Sequence, residues 1–164
     1  DFARPLTPRI SRTDLNGLVR ETLESIAPER EGLGIELALE LDDTMGDVSV
    51  DSCLFRIALI NVVRNALQAI PRRGSRAGRI TVRTLSKGAA VEVAVIDNGV
   101  GIPSDAAEKI FDPFFTTKAS GSGLGLAIVS QILKEHGGRV RFESRAGEGA
   151  AFFMDLPLEK GSAS

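Results

Sequence analysis

Tryptophan and tyrosine are absent from this chain of 164 residues, and cysteine and histidine occur once each, as Cys53 and His136. A single thiol cannot form an internal disulfide, so nothing indicates an oxidising compartment. We expect Cys53 to be a small buried hydrophobic side chain in an apolar helix. No apolar run approaches the roughly 20 residues that cross a bilayer, so we expect no membrane contact by this chain.

Net charge is also nearly absent, at -2, and the basic residues are scattered among acidic ones. Without a broad basic surface the chain cannot release many counterions from a phosphate backbone, which argues against a nucleic-acid partner. The chain starts at Asp1 with neither an initiator methionine nor a signal-like apolar segment. We therefore expect a cytoplasmic piece of a longer protein, with any membrane anchor upstream.

The composition is that of a globular domain, with 43% hydrophobic and 26% charged residues. The length suits one hydrophobic core. Pro5, Pro8 and three arginines predict an extended linker over residues 1–12, followed by a domain over 13–158 and a flexible tail over 159–164.

Hydrophobic periodicity predicts three helices and six strands. The first helix is capped by Thr13 or Asp14 and reaches about Arg30; the others cover Ser52–Ile70 and about Leu124–Glu135, where Gly137-Gly138 ends the run. Strands are expected at 35–41, 47–50, 79–85, 90–97, 139–144 and 150–156. Hairpins interleaved with long helices predict an α+β fold, a two-layer sandwich whose mixed, mostly antiparallel sheet has helices on one face.

Three amide side chains, Asn61, Asn65 and Gln68, fall within roughly 60° of arc on the second helix. Asparagine in a helix interior costs roughly half a kcal/mol or more, so two on one face suggest a compensating contact. Amide oxygen is a suitable ligand for Mg²⁺. A solvated helix face explains the same stripe equally simply.

Asp97 ends a strand and shares its parity with Val91, Val93 and Val95, so its carboxylate should face the buried side. A buried carboxylate needs a hydrogen-bond donor, and the exocyclic amino group of adenine is one. Gly99 and Gly101 follow, where backbone must approach a ligand closely. An ordinary Asp-Asn-Gly turn is the competing interpretation.

A glycine-rich segment, Gly121-Ser122-Gly123-Leu124-Gly125-Leu126, leads into the last helix and could cradle an anion. It matches neither the dinucleotide fingerprint nor the Walker P-loop. Before it, the segment from Ile110 to Lys118 holds three of the eight phenylalanines. Such a segment can close over a bound nucleotide, with Lys118 bringing charge to the terminal phosphates.

These four elements, in this order, resemble the histidine-kinase branch of the GHKL superfamily over roughly residues 33–157. Asn61 to Asn65 resembles the N box, Asp97-x-Gly99-x-Gly101 the first glycine box, Phe111 to Phe115 the F box and Gly121 to Gly125 the second glycine box. The run from Asn65 to Ala69 and the Phe-Phe-Thr-Thr-Lys ending are similar to nitrogen-regulation and oxygen-sensing kinases.

The resemblance implies ATP and Mg²⁺ as cofactors, with Asn65 as the metal ligand. It implies phosphate-side contacts from Asn61 and Gln68, catalytic roles for Asn61, Asn65 and Lys118, and adenine recognition by Asp97. The remaining nucleotide-binding positions that it implies are Gly99, Gly101, Ile102, Phe114, Phe115, Thr116, Thr117, Gly121, Ser122, Gly123, Leu124, Gly125 and Leu126.

Related ATPases carry a glutamate, as a general base, where this sequence has Asn61, so slow hydrolysis and transfer to a histidine are expected. His136 suits a structural role at a helix end, and no segment resembles the phosphoacceptor box. The implied partners are an absent dimerisation and phosphoacceptor domain, a response-regulator receiver domain and, in the full-length protein, a second copy. The family often has a threonine near adenine in the final hairpin, and this sequence has Ala150 at that position. A conformational ATPase and a non-catalytic nucleotide-binding module remain alternatives.

Overall fold

The computed structural model describes residues 7–71, 77–113, 115, 125–145 and 147–158. Seven strands and four helices lie within these ranges. In chain order they are β1 (Ser11–Thr13), α1 (Leu15–Ser25), α2 (Ala27–Gly32), β2 (Glu36–Glu40), β3 (Val48–Val50), α3 (Ser52–Ala69), β4 (Arg79–Lys87), β5 (Ala90–Asp97), α4 (Gly125–Glu135), β6 (Arg139–Arg145) and β7 (Gly149–Pro157).

Five strands form one mixed sheet in the order β2-β4-β5-β7-β6. The β2–β4 pair is parallel, and the other three pairs are antiparallel. Helices α3 and α4 pack on one face of this sheet, and α1 packs on α3. The α+β two-layer sandwich predicted from the sequence is confirmed.

Strand alternation separates an apolar face from a charged one. On β5, Val91, Val93 and Val95 are fully buried beneath the helices, as their shared parity predicts. The opposite face carries Glu92, whose Oε1 accepts hydrogen bonds from Arg141 Nη2 at 2.6 Å and Lys87 Nζ at 3.0 Å. These long cationic side chains cover the carboxylate, which leaves Glu92 only 6% exposed.

The prediction of one continuous first helix, reaching about Arg30, is wrong, because the structure breaks it in two. Helix α1 starts with Asp14 as N-cap, whose Oδ1 accepts from Gly17 N at 3.1 Å. It stops at Ser25, and α2 begins at Ala27 with Pro28 in its first turn. Proline lacks an N–H and its ring clashes with the carbonyl four residues earlier, so the helix cannot continue through it.

The short strand predicted at 47–50 is present as β3, which pairs antiparallel with β1 in a two-stranded sheet outside the main one. One expectation about a side chain is wrong. Cys53, expected to be buried, is exposed. It lies four residues before the exposed Ile57, on the side of α3 opposite to the buried Phe55 and Leu59.

The remaining elements follow the sequence closely. Helix α4 ends where predicted, with Gly137 at φ 76° and Gly138 N bonded to Leu133 O at 2.8 Å. No helix in the described part of the chain is long and apolar enough to span a membrane.

Candidate nucleotide site

Asp97 is the last residue of β5 and is buried, with 5% of its surface exposed. Its Oδ1 accepts hydrogen bonds from the backbone N–H groups of Gly99, at 2.8 Å, and Ala150, at 3.3 Å. One donor lies in the loop after β5 and the other at the start of β7. The carboxylate is thus oriented by two backbone segments that are far apart in sequence, and its burial confirms the expectation from strand parity.

The loop after Asp97 lies against the end of α3. Val100 N donates to Ala69 O at 2.9 Å, and Ala69 is the last residue of the helix. A Cβ added at Gly99 would overlap the carbonyl of Ala69. This position therefore requires glycine because of the close approach of the helix backbone.

The β6–β7 hairpin holds the other side of the same loop. Gly147 N donates to Val100 O at 2.8 Å, and Ile102 N donates to Ser144 Oγ at 2.6 Å. Gly149 has φ 104°, and a Cβ there would overlap the carbonyl of Asp97. The loop is therefore bonded to α3 on one side and to the hairpin on the other.

Asn98 fastens the loop to the start of β4. Its Oδ1 accepts from Arg79 N at 2.8 Å, and its Nδ2 donates to Ala77 O at 2.8 Å. The side chain thereby completes the hydrogen bonding of two backbone groups at the entrance of the strand. Asn98 belongs to the frame of the loop.

The amides of α3 run along one side of the helix toward this loop. Asn61 and Asn65 are half-buried, and Gln68 is exposed. Asn61, Asn65 and Ala69 follow one another at intervals of four residues, so they share one face and rise about 6 Å per step. The stripe thus ends at the carbonyl to which the Asp97 loop is bonded.

The other end of this stripe lies against the start of α4. Asn61 Nδ2 donates to Ile57 O at 2.8 Å. A Cβ added at Gly125 would lie 3.0 Å from Asn61 Oδ1. A side chain at position 125 would therefore crowd the amide oxygen of Asn61. One face of α3 therefore extends from Gly125, the first residue of α4, to the loop after Asp97.

Phe111 anchors the segment that follows the loop. Its ring makes edge contacts with Phe142 and Phe152, at centroid distances of 6.0 and 6.3 Å. Phe115 is half-buried and packs on the same core. The aromatic residues thus attach this part of the chain to the apolar face of the sheet.

Part of the predicted site lies outside the described residues. These positions are Phe114, Thr116, Thr117, Lys118, Gly121, Ser122, Gly123 and Leu124. Leu126 and Ile102, by contrast, are half-buried residues packed against the core. The sequence motifs did not indicate that Ala69, Asn98 or Ser144 hold the loop, because these roles depend on hydrogen bonds between separate elements. For Ala69 alone there was a local signal, its four-residue spacing from Asn65.

The family of histidine kinase-, DNA gyrase B- and HSP90-like ATPases matches residues 51–160. The chain belongs to that family. The matched range begins at the N-cap of α3, so it includes the amide stripe, the Asp97 loop and the β6–β7 hairpin. The resemblance inferred from the four sequence motifs is confirmed.

Curated relatives are sensor kinases. The sensor histidine kinase ZraS of Escherichia coli K12 is 35% identical over 158 residues, which cover 96% of this chain and 33% of ZraS. The signal transduction histidine-protein kinase AtoS of the same organism is 38% identical over 159 residues, covering 96% of this chain and 26% of AtoS. The chain spans a third or less of the length of these relatives.

Solved structures agree with this assignment. The nucleotide-free catalytic domain of the histidine kinase ThkA has a TM-score of 0.82 and 34% identity, covering 92% of this chain and 96% of that one. Full-length ShkA in complex with AMPPNP has a TM-score of 0.84 and 29% identity, covering 96% of this chain and 33% of that one. ThkA in complex with the response regulator TrrA has a TM-score of 0.79 and 31% identity, covering 93% of this chain and 43% of that one. The fold is that of a histidine kinase catalytic domain.

Proposed function

We propose that this chain is the ATP-binding catalytic domain of a two-component sensor histidine kinase, spanning residues 13–158, which donates the γ-phosphate of ATP to a histidine on a separate domain. The observation that carries the proposal is the single face of α3 that joins the entrance of α4, through Asn61 and Asn65, to the buried Asp97. The similarity to ThkA and to AMPPNP-bound ShkA supports the same conclusion.

In this proposal, Asp97 selects adenine. Its Oδ1 is oriented by Gly99 N and Ala150 N, and the carboxylate accepts a hydrogen bond from the exocyclic amino group of the base. Guanine presents a carbonyl oxygen at the corresponding position, and two acceptors facing each other in a buried site repel. The site therefore prefers ATP to GTP.

The amide stripe takes the phosphate side of the nucleotide. Asn65 would hold Mg²⁺ through its side-chain oxygen, a ligand suited to this ion, with Asn61 and Gln68 close to the phosphates. The missing Cβ of Gly125 leaves a space beside Asn61 that a side chain would fill. The bound metal would screen the negative charge of the phosphate oxygens. Lys118 and the glycine-rich segment complete this side on sequence grounds.

Asn61 also explains why transfer, and not hydrolysis, is proposed. An amide cannot accept a proton from water, so the site lacks a general base at the position where related ATPases carry glutamate. Asn61 Nδ2 is bonded to Ile57 O, which fixes the orientation of the side chain. The γ-phosphate is thereby preserved until a nucleophile arrives in line.

The nucleophile must come from another domain. His136, the sole histidine of the chain, is 1% exposed. Both of its ring nitrogens are within hydrogen-bond distance of backbone atoms, at 2.8 Å from Ile132 O and 3.0 Å from Asp51 N. A buried imidazole bonded in this way cannot approach a phosphate, so the accepting histidine lies on a dimerisation domain. A response-regulator receiver domain is the proposed acceptor after it, as the ThkA–TrrA complex suggests.

A test of the proposal supplies the dimerisation hairpin of the full-length protein in trans, with γ-labelled ATP. Acid-labile phosphohistidine is expected on the hairpin and not on the chain alone. The matched control is Asp97→Asn, which should give no label. Absence of label with the unaltered chain, in the presence of bound ATP, would refute kinase activity.

The second candidate is a conformational ATPase, which the name of the matching family also includes. It predicts continuous phosphate release by the chain without any hairpin. The amide at position 61 argues against it, because it provides no base.

A further inference from the structure

We propose that Ser144 is a positioning residue of the nucleotide site, which fixes the Gly99–Ile102 loop and so sets the preference for adenine. The inference rests on the proposed function, and in particular on base recognition by Asp97. Ser144 was not among the positions that the sequence motifs indicated.

The Ser144 hydroxyl lies between the loop and the hairpin and contacts both. Its Oγ accepts from Ile102 N at 2.6 Å, across 42 positions in sequence. The same oxygen lies 3.4 Å from Gly149 O, to which it donates. One hydroxyl therefore acts as acceptor for the loop and as donor to the residue whose close approach to Asp97 requires glycine.

Register places Ser144 directly opposite Ala150, whose N–H donates to the Asp97 carboxylate. Phe142 pairs with Phe152 two residues away on the same strands. Since side chains alternate along a strand, Ser144 shares the face of Phe142, which is the face covered by the helices. The hydroxyl thus projects to the side on which Asp97 and α3 lie.

The other hydrogen bonds that hold the loop involve its first residues, up to Val100. Val100 is held by backbone bonds to Ala69 and Gly147. Asp97 and Asn98 hold the first residues. Gly101, at φ 78°, follows these contacts, and glycine is the most conformationally permissive residue. The Ser144 hydroxyl supplies the side-chain hydrogen bond that holds the Ile102 backbone on the far side of this flexible point.

A restrained loop already has the conformation that binds the base, so the free energy of binding is not reduced by the entropy lost when a loop becomes ordered. When the Ser144 bond is lost, Gly101 and Ile102 sample other conformations in the empty site. ATP must reorder them on binding, and the position of Asp97 relative to the base becomes less defined. The affinity for ATP falls, whereas the already poor affinity for GTP changes less.

The test uses an isosteric pair on the strand, Ser144→Thr and Ser144→Val, together with Ser144→Ala. Threonine keeps the Oγ acceptor, valine has the same shape without it, and both suit a strand. The control is Ser25→Ala, which removes a serine hydroxyl that donates to Thr22 O at 2.6 Å, at the end of α1. Calorimetry gives the affinity of each protein for Mg-ATP and Mg-GTP, and hydrogen exchange gives the protection of the Ile102 amide.

We expect Ser144→Val and Ser144→Ala to lose about tenfold in ATP affinity, the size of one buried hydrogen bond, with a smaller loss for GTP. The Ile102 amide should exchange faster in both variants. Ser144→Thr and Ser25→Ala should retain both the affinity and the ATP-to-GTP ratio. If Ser144→Ala fails to fold, the comparison of Ser144→Thr with Ser144→Val is sufficient to test the inference.

Equal losses for ATP and GTP, or unchanged ATP affinity in the valine variant, would overturn the inference while leaving the proposed function intact. An unaltered chain that binds neither nucleotide would overturn the proposed function, and with it any role for Ser144 in base selection.

Discussion

The backbone N–H of Asp51 donates a hydrogen bond of 3.0 Å to Nε2 of His136, across 85 positions in sequence. Because Nε2 accepts, Nδ1 carries the proton and donates to Ile132 O at 2.8 Å. The Asp51 side chain meanwhile caps α3 through Leu54 N and accepts from Arg9 N. His136 therefore joins the end of α4 to the start of α3, and the Asp51 side chain joins the start of α3 to the segment that precedes β1.

Replacing His136 with alanine should destabilise the domain by about 2–4 kcal/mol, because it leaves a cavity and removes both hydrogen bonds of a buried side chain. Urea unfolding measures the change. The exposed Cys53→Ala is the matched control on α3 and should change stability by less than about 0.5 kcal/mol. Similar values for the two variants would show that His136 does not join these elements.

Asp51→Asn should reduce the dependence of stability on acid pH. Burial raises the pKa of Asp51, but hydrogen bonds from the backbone N–H groups of Leu54, Arg9 and Cys53 outweigh it and hold the pKa below its usual value of 3.8. The ionised carboxylate therefore stabilises the fold at neutral pH, and that contribution is lost as the pH falls through the lowered pKa.

The measurement is urea unfolding of both proteins between pH 7 and pH 3. The asparagine variant should be less stable at pH 7 by about 1–2 kcal/mol, since its amide cannot accept the bond from Arg9. The two stability curves should converge toward pH 3. Curves that stay parallel over the whole range would contradict the linkage.

Gly149→Ala should disturb both stability and nucleotide binding, because a Cβ at φ 104° would overlap the carbonyl of Asp97. Gly147→Ala, in the same hairpin at φ 79° but with open space around the added Cβ, is the control. It should cost only about 1 kcal/mol of backbone strain. Calorimetry with Mg-ATP should show a loss of affinity for Gly149→Ala alone. Equal behaviour of the two variants would refute the close approach.

Asn65→Ala should remove most of the gain in ATP affinity that Mg²⁺ provides. The reason is that the amide oxygen is the proposed protein ligand of the ion. The experiment compares ATP binding with Mg²⁺ and with a chelator, for the unaltered chain, for Asn65→Ala and for Cys53→Ala. A variant that responds to Mg²⁺ as the unaltered chain does would exclude Asn65 as the ligand.

The sequence predicts those elements whose signal is local. Helix α3 carries an apolar stripe over its whole length, and β5 alternates with a period of two, so both are recovered within a residue or two. Pro28 is a local signal as well, and a continuous helix through it is wrong for that reason. Cys53 lies four residues before the exposed Ile57, and this local spacing places it on the exposed side of α3, so the prediction that it is buried was wrong.

Other features depend on contacts between residues that are distant in sequence, and no local pattern predicts them. Strand β1 has three residues and exists through its pairing with β3. The positions of Asp97 and of the amide stripe followed from periodicity, but the bonds of the loop to Ala69 and to Ser144 join elements that are distant in sequence. The sequence therefore indicated which residues could recognise a nucleotide, and the tertiary fold supplies the frame that holds them.

The most direct measurement is a calorimetric titration of Mg-ATP into the unaltered chain and into Asp97→Asn. The asparagine keeps an Oδ1 that can accept from Gly99 N and Ala150 N, so the fold should be retained, but its amide nitrogen presents a donor in place of an acceptor. We expect the unaltered chain to bind one ATP in preference to GTP, and the variant to bind ATP very weakly or not at all at an unchanged unfolding midpoint. Equal ATP affinity for the two proteins would contradict it.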